Sequence, residues 1–385
     1  MKTIYLDNNA TTRVDPRVFE EMQPYFCDLY GNPSSMHAFG GQVGSKITEA
    51  RERVAAILGA DPTEIIFTSC GTESDNTAIR SALESQPDRK HIVTTKVEHP
   101  AVLNLCKHLV KKGYHLTQLG VDENGRLDLD ELRSAVTDNT ALVSIMWANN
   151  ETGTIFPIEE IAHIVKSRGT LFHTDAVQAV GKIEIDLNKI PVDFLALSGH
   201  KLHAPKGVGA LYVRKRTPFR PFIIGGHQER SRRAGTEAVP SIIALGKACD
   251  VAFENMSIEQ NEVRELRDRL EQGIINSVPL TIVNGDESSR LPNTSNISFK
   301  FVEGEAILLL MNELGICASS GSACTSGSLE PSHVLRAMGV PFTFAHGSIR
   351  FSLSRFNTKE EIDFVVKEFP PIIERLRAMS PYTEE

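Results

Sequence analysis

Between about residues 64 and 214 the chain alternates short apolar runs with amphipathic stretches. The runs at 65–67, 92–94, 141–146, 170–172, 194–195 and 209–213 are rich in β-branched or aromatic residues and nearly unbroken by polar ones. That texture suits strands covered on both faces of a sheet. Residues 72–83 and 158–167 between them carry helical spacing, so the pattern predicts a βα alternation and an α/β fold. After about residue 250 the texture changes. A long charged helix at 258–277 is followed by a strand at 294–301, a helix at 304–314, a Ser/Gly-rich stretch and a strand at 348–354. A last helix opens at Thr358 with Glu361 three positions on, the spacing of a capping box. The reading is a large domain over 14–250 with a mixed sheet between helical layers. A smaller α+β domain combines 1–13 with 251–385.

A chain of 385 residues is long for one core and suits that division. Its net charge of -8 comes with no basic patch or tail, so no nucleic-acid partner is expected. No apolar run reaches the length of a membrane span, and the first residues carry no leader pattern, so neither membrane insertion nor export is expected. The six cysteines are scattered without a CxxC pair. Reduced thiols in a cytoplasmic location are expected, with no disulfide framework and no metal site.

Lys201 is the residue that most narrows the chemistry. It follows His200 between two strand-like segments, where burial disfavours an ammonium and makes the amine a nucleophile toward carbonyls. A Schiff base to pyridoxal phosphate is the main biological use of such a lysine. A lone lysine is more often an ordinary surface residue, so the other parts of a cofactor site must be present. Asp175 ends the strand-like segment at 170–174, where a carboxylate can face a pyridine nitrogen or cap the next helix. Gln178 lies within reach of the ring's phenolic oxygen. Gly71 and Thr72 stand at a strand-to-helix turn of the kind that binds phosphate, and Ser198 and His200 can add ligands to it.

His99 follows another strand and can stack on a ring or serve as an acid/base, although most single histidines are structural. Cys324 sits in a Ser/Gly stretch where a buried structural cysteine would be out of place, as suits a reactive thiol or an inert linker. In the strand at 348–354, alternation puts Arg350 opposite Ile349 and Phe351. There it can hold a carboxylate bidentately or make a surface salt bridge.

Taken together and in order, these residues resemble the cysteine desulfurases of the class V aminotransferase family. Further similar blocks are Tyr5-Leu-Asp-Asn-Asn-Ala-Thr-Thr12, Tyr30-Gly-Asn-Pro-Ser-Ser-Met-His37, Trp147-Ala-Asn-Asn-Glu-Thr-Gly153, His173-Thr-Asp-Ala-Val-Gln-Ala-Val-Gly181 and Gly225 to Glu237. The cysteine stretch at 319–336 resembles the longer loop of the nitrogen-fixation and housekeeping subgroup, and the match is nearest to the nitrogen-fixation type. The resemblance implies the aspartate aminotransferase-like fold, pyridoxal 5′-phosphate as cofactor and L-cysteine as substrate. It also implies a homodimer and an iron–sulfur scaffold protein as sulfur acceptor, in nitrogenase maturation among other routes.

By the same resemblance Lys201 forms the Schiff base, Asp175 pairs with the pyridine nitrogen, Gln178 meets the phenolic oxygen and His99 stacks on the ring. Thr72, Ser198 and His200 hold the phosphate, joined by Thr236 of a second subunit. Asn150 and Arg350 hold the substrate carboxylate, and Cys324 accepts the sulfur as a persulfide while alanine leaves. His227 in the Gly-rich turn has no role assigned by the resemblance. A class V transaminase would need no Cys324, whereas a selenocysteine lyase would use the same cofactor chemistry. A non-catalytic scaffold would not need the full set.

Overall fold

The computed structural model describes residues 3–320 and 330–380. Among these the strands are, in chain order, β1 (Ile4–Tyr5), β2 (Ile65–Thr68), β3 (His91–Thr95), β4 (His115–Leu119), β5 (Thr140–Ser144) and β6 (Leu171–Asp175). They continue with β7 (Phe194–Ser198), β8 (Gly209–Val213), β9 (Thr281–Asn284), β10 (Thr294–Phe299), β11 (Ile316–Cys317) and β12 (Ser348–Ser352). Seven of them form one sheet in the order β2-β8-β7-β6-β5-β3-β4. β3 to β7 run parallel, and β8 runs antiparallel to both β7 and β2. The architecture is α/β, as the run-and-helix pattern predicts, with the mixed sheet expected of the large domain.

Every residue of β5, β6, β7 and β8 is buried. Alternation along the strands divides their side chains between two apolar clusters. Ile65, Phe67, Val143 and Phe172 enter one, while Ile66, Leu142 and Leu171 enter the other. The helices Gly71–Glu84 and Pro100–Val110 close the second face through Ile79, Val102 and Leu105. On the first face, Val43 and Val54 of the helix Ala38–Ile57 and Ile243 of the helix Val239–Glu254 complete the cover.

A separate cluster gathers about the antiparallel sheet β12-β10-β9. Ile297, Phe299, Ile349 and Phe351 meet Leu270 and Ile274 of the helix Arg264–Ser277 and Phe369 of the helix Lys359–Met379. Ile4 and Leu6 join this cluster, and β1 pairs parallel with β11. The capping box at Thr358 and Glu361 is present.

The structure departs from the sequence pattern at edges. β4 and β9 were not legible as apolar runs, because each lies at a sheet edge with most of its residues partly open to solvent. The apolar run at 141–146 leaves the sheet after Ser144, although Ile145 and Met146 stay buried. The strand expected to reach 301 stops at Phe299, and Phe301 turns out of extended geometry with a φ of 68°. The strand expected to reach 354 stops at Ser352. The long charged helix starts at Met256 and takes a π turn over Glu259–Val263 before continuing to Ser277.

Candidate functional site

Parallel strands present their carboxyl ends along one edge, and ligand sites of open α/β sheets lie there. Here β2 leads into Gly71, β3 into His99, β6 ends on Asp175, and β7 ends on Ser198 with His200 and Lys201 following. Six residues singled out by the sequence are thus delivered to one edge by backbone direction alone. Lys201 closes a short 3-10 turn, Gly199–Lys201, and its Nζ donates to the carbonyls of Asn9 and Ala10, the latter at 2.8 Å. Gln178 is buried and donates through Nε2 to the same Asn9 carbonyl at 3.0 Å.

Asp175 is 6% exposed, and its Oδ1 accepts from the Val177 N–H at 2.9 Å. No helix starts there, so this is a local turn and not a helix cap. Burial pushes the Asp175 carboxyl upward, opposed by His99, the Val177 N–H and Lys201. A cationic ring nitrogen would be the partner that reverses this shift. His99 caps the helix Pro100–Val110, its Nδ1 accepting from the Ala101 N–H at 3.2 Å. Burial lowers its pKa, with Lys201 and His333 acting in the same direction and Asp175 against. A neutral ring with Nδ1 as acceptor carries its proton on Nε2.

The turn after β2 fits a phosphate. The helix Gly71–Glu84 has no side-chain cap at its N-terminus. Ser198 is 2% exposed, and its Oγ has no partner among the described residues. A buried hydroxyl is costly unless something completes its bonding. Gly71 keeps the turn close to its neighbours, since a Cβ there would lie 2.7 Å from Val177 Cγ2. Thr72 is exposed at the same turn. His200 bonds Thr11 through Nδ1 at 3.1 Å, and burial lowers its pKa to about 4, so it acts as a neutral ring.

Arg350 makes no surface salt bridge. It is 2% exposed, donating to the Asn150 carbonyl at 3.0 Å and to Asp7 at 2.8 Å. The two expected substrate ligands therefore meet directly. Thr236 stands apart from this network, exposed in the segment before the helix Val239–Glu254. Cys324 lies outside the described residues. Of the cysteines within them, Cys106 and Cys249 are buried in helices, where burial raises both thiols, that of Cys106 to about 12.

Several functional candidates escaped the sequence reading. Asn9 ties the edge together, with its side chain donating to Thr294 Oγ1 at 2.9 Å and to the Asn150 carbonyl at 3.2 Å. Its only signal was the Asn8-Asn9 doublet inside a similar block. Asp75 and Glu98 are buried carboxyls near Asp175. Burial raises both, Glu98 to about 8, and the charge of Asp175 adds to each. Lys182 is buried one residue beyond another similar block, and a lysine directly after Ala179-Val-Gly181 was the available clue.

The family model for class V aminotransferases matches residues 4–365. A cysteine desulfurase of Trichormus azollae is 62% identical over all of this chain and 96% of its own length. Cysteine desulfurase NifS of Azotobacter vinelandii is 60% identical over 99% of this chain and 95% of its own. A solved NifS-like protein superposes with a TM-score of 0.92 at 42% identity, covering 97% of this chain and all of that one. The chain belongs to the class V aminotransferase family and, within it, to the cysteine desulfurases.

Proposed function

We propose that this protein removes sulfur from L-cysteine with pyridoxal 5′-phosphate as cofactor, releasing L-alanine and leaving a persulfide on Cys324. The observation that carries the reading is the convergence of Lys201, Asp175, Gln178 and the unpartnered Ser198 hydroxyl on one strand edge, in a family that depends on this cofactor. Bound there, the cofactor supplies an electron sink that lets the bonds at the substrate's Cα and Cβ break.

The residues divide the remaining work. Lys201 would hold the cofactor covalently, and its Nζ as a free amine would take the proton from the substrate Cα. Asp175 would pair with the ring nitrogen, Gln178 would donate to the phenolic oxygen, and His99 would cover the ring. Gly71, Thr72, Ser198 and His200 would hold the phosphate, with Thr236 of a second copy. Asn150 and Arg350 fix the substrate carboxylate, and Asp7 orients the guanidinium. The Cys324 thiolate attacks the substrate sulfur as the Cβ–S bond breaks. The persulfide then passes to an iron–sulfur scaffold protein, and the likeness to NifS supports a nitrogen-fixation role.

Under the same reading residues 14–250 form the larger unit, and 1–13 with 251–385 the smaller. The separate apolar clusters support that division, although Val334, Leu335 and Ala345 pack into the cluster beside the large sheet. No helix among the described residues is long and apolar enough to cross a membrane.

The test is incubation of the cofactor-loaded protein with L-cysteine, measuring alanine and reductant-released sulfide, beside Cys324→Ala. Equal yields of both products that vanish in the variant support the reading. Alanine that forms without Cys324 points to a selenocysteine lyase-like enzyme, and no turnover by loaded protein leaves a scaffold.

A further inference from the structure

Lys182 is 7% exposed, and its amine sits on Gln178, donating to the side-chain Oε1 at 2.8 Å and to the main-chain carbonyl at 3.1 Å. Gln178 Nε2 in turn donates to the Asn9 carbonyl, which also receives Lys201. Three linked hydrogen-bonded steps thus run from the buried Lys182 to the half-buried Lys201. Both lysines also line one small cavity, together with Asn8, Glu259 and Arg355.

A primary amine carries two protons even when neutral, enough for both Gln178 oxygens, so the direction of this bond survives loss of charge. That matters because burial lowers the Lys182 pKa to about 7, with Lys201 and Arg350 adding to the fall and Glu259 opposing it. With Oε1 held by a donor and one Nε2 hydrogen on a carbonyl, the amide can turn in only one sense. Its second N–H has no acceptor among the described residues and remains available as a donor. A glutamine without such a clamp can swap its two ends.

We infer that Lys182 is a positioning residue that acts through Gln178, locking the amide so that an N–H, and not the carbonyl, faces the phenolic oxygen of the cofactor. The inference rests on the proposed cofactor site. A donor at that oxygen stabilises its anionic form and so lowers the pH at which the bound cofactor's visible absorption changes.

The experiment is a spectrophotometric pH titration of the pyridoxal phosphate-loaded full-length protein, without substrate. It compares the parent, Lys182→Met, Lys182→Gln, Gln178→Ala and the Lys182→Met/Gln178→Ala double variant. Lys182→Met is expected to raise the midpoint by about one pH unit, a tenfold change in proton affinity. The shift should shrink to less than half in the Gln178→Ala background, because two residues acting in series do not add. Lys182→Gln, an uncharged donor, should restore the parent midpoint.

A shift of full size in the Gln178→Ala background, or one equally large in Lys182→Gln, overturns the inference, as does no shift at all. If the methionine variant does not fold, Lys182→Gln decides alone: a midpoint at the parent value supports the clamp and one displaced by about a unit overturns it. A parent protein that takes up no pyridoxal phosphate overturns the cofactor reading and this inference with it. A loaded parent with unresponsive Lys182 variants overturns the inference only.

Discussion

Asp7 and Arg350 lie 343 positions apart in the chain and meet in a 2.8 Å ion pair at the edge of the site. The arginine is 2% exposed on its side chain and the aspartate 18%, so the pair is screened by little water. Removing one partner of a buried pair costs more than the pair itself contributes, because the remaining charge is stranded. Asp7→Asn should therefore lower the unfolding free energy by about 1–3 kcal/mol, less than a fully buried pair because Asp7 is part-exposed. Urea unfolding of Asp7→Asn, Arg350→Met and the double variant measures the coupling. A value near zero would mean that Arg350 is held by its other bonds.

Gly71 makes a second prediction, from space alone. Alanine there brings its Cβ to 2.7 Å from Val177 Cγ2, and Val177 is two residues past Asp175. The turn or Val177 has to move, at a cost of about 1–3 kcal/mol. Either movement displaces the donors proposed for the phosphate, so pyridoxal phosphate affinity should fall about tenfold or more, for a loss of about 1.4 kcal/mol in binding. Equilibrium dialysis of the apo-protein reads this directly, and an unchanged affinity would detach the turn from the phosphate.

The third prediction concerns pH. Glu98 is buried, accepts from Thr95 Oγ1 at 2.8 Å and from the Met146 N–H at 3.0 Å, and has its pKa raised to about 8. From about pH 4.5 to 8 the folded protein keeps this proton while the unfolded chain releases it. The folded state then binds more protons, and stability from this group falls as pH rises. Glu98→Gln removes the dependence. Relative to the parent the variant should gain stability between pH 5 and pH 8, by about 3 kcal/mol. Chemical denaturation of both at the two pH values tests this, and a difference independent of pH would show that Glu98 ionises normally.

Glu229 supplies a fourth. It is buried at a φ of 46°, with two bonds to Arg51 at 2.6 and 2.7 Å and a third from the Phe67 N–H on β2 at 3.0 Å. Alanine leaves Arg51 with its bond to the Ile65 carbonyl but without its carboxylate, and the Phe67 N–H without its acceptor, for a loss of about 3 kcal/mol. A glutamine carbonyl in the place of Oε2 can keep the contacts to Arg51 Nη1 and the Phe67 N–H and lose less. Thermal unfolding should rank parent above Gln above Ala. Equal losses would assign the effect to charge alone.

The core strands were legible because strands buried along their whole length, as β5 to β8 are, carry short apolar runs such as 141–143 and 194–197. Edge strands such as β4 and β9 obey no such rule, since solvent on one side tolerates His115 and Gln118. The site was legible where a residue type carries unusual chemistry beside a strand end, as with Lys201 and Asp175. It was not legible for Asn9, Asp7 and Lys182, whose importance comes from partners far along the chain. Asn9 is an ordinary turn residue until Thr294 and Ser352 are folded against it. Sequence spacing carries no information about that meeting.

The place of Asn9 has a consequence for biosynthesis. The segment around it leaves the ribosome well before its partners, since its bonds to Thr294, Ser352 and the Arg350–Asp7 pair need residues 294–352. The large sheet can form as soon as β8 is made, since domains fold as units during synthesis. Its strand edge then waits, with Lys201 present and the Asn9 carbonyl not yet fixed by the strands that follow. On the proposed function, cofactor capture then waits for the strands from Thr294 onward: stalled chains ending near residue 290 should carry folded sheet yet retain no pyridoxal phosphate, and retention by such chains would break the link.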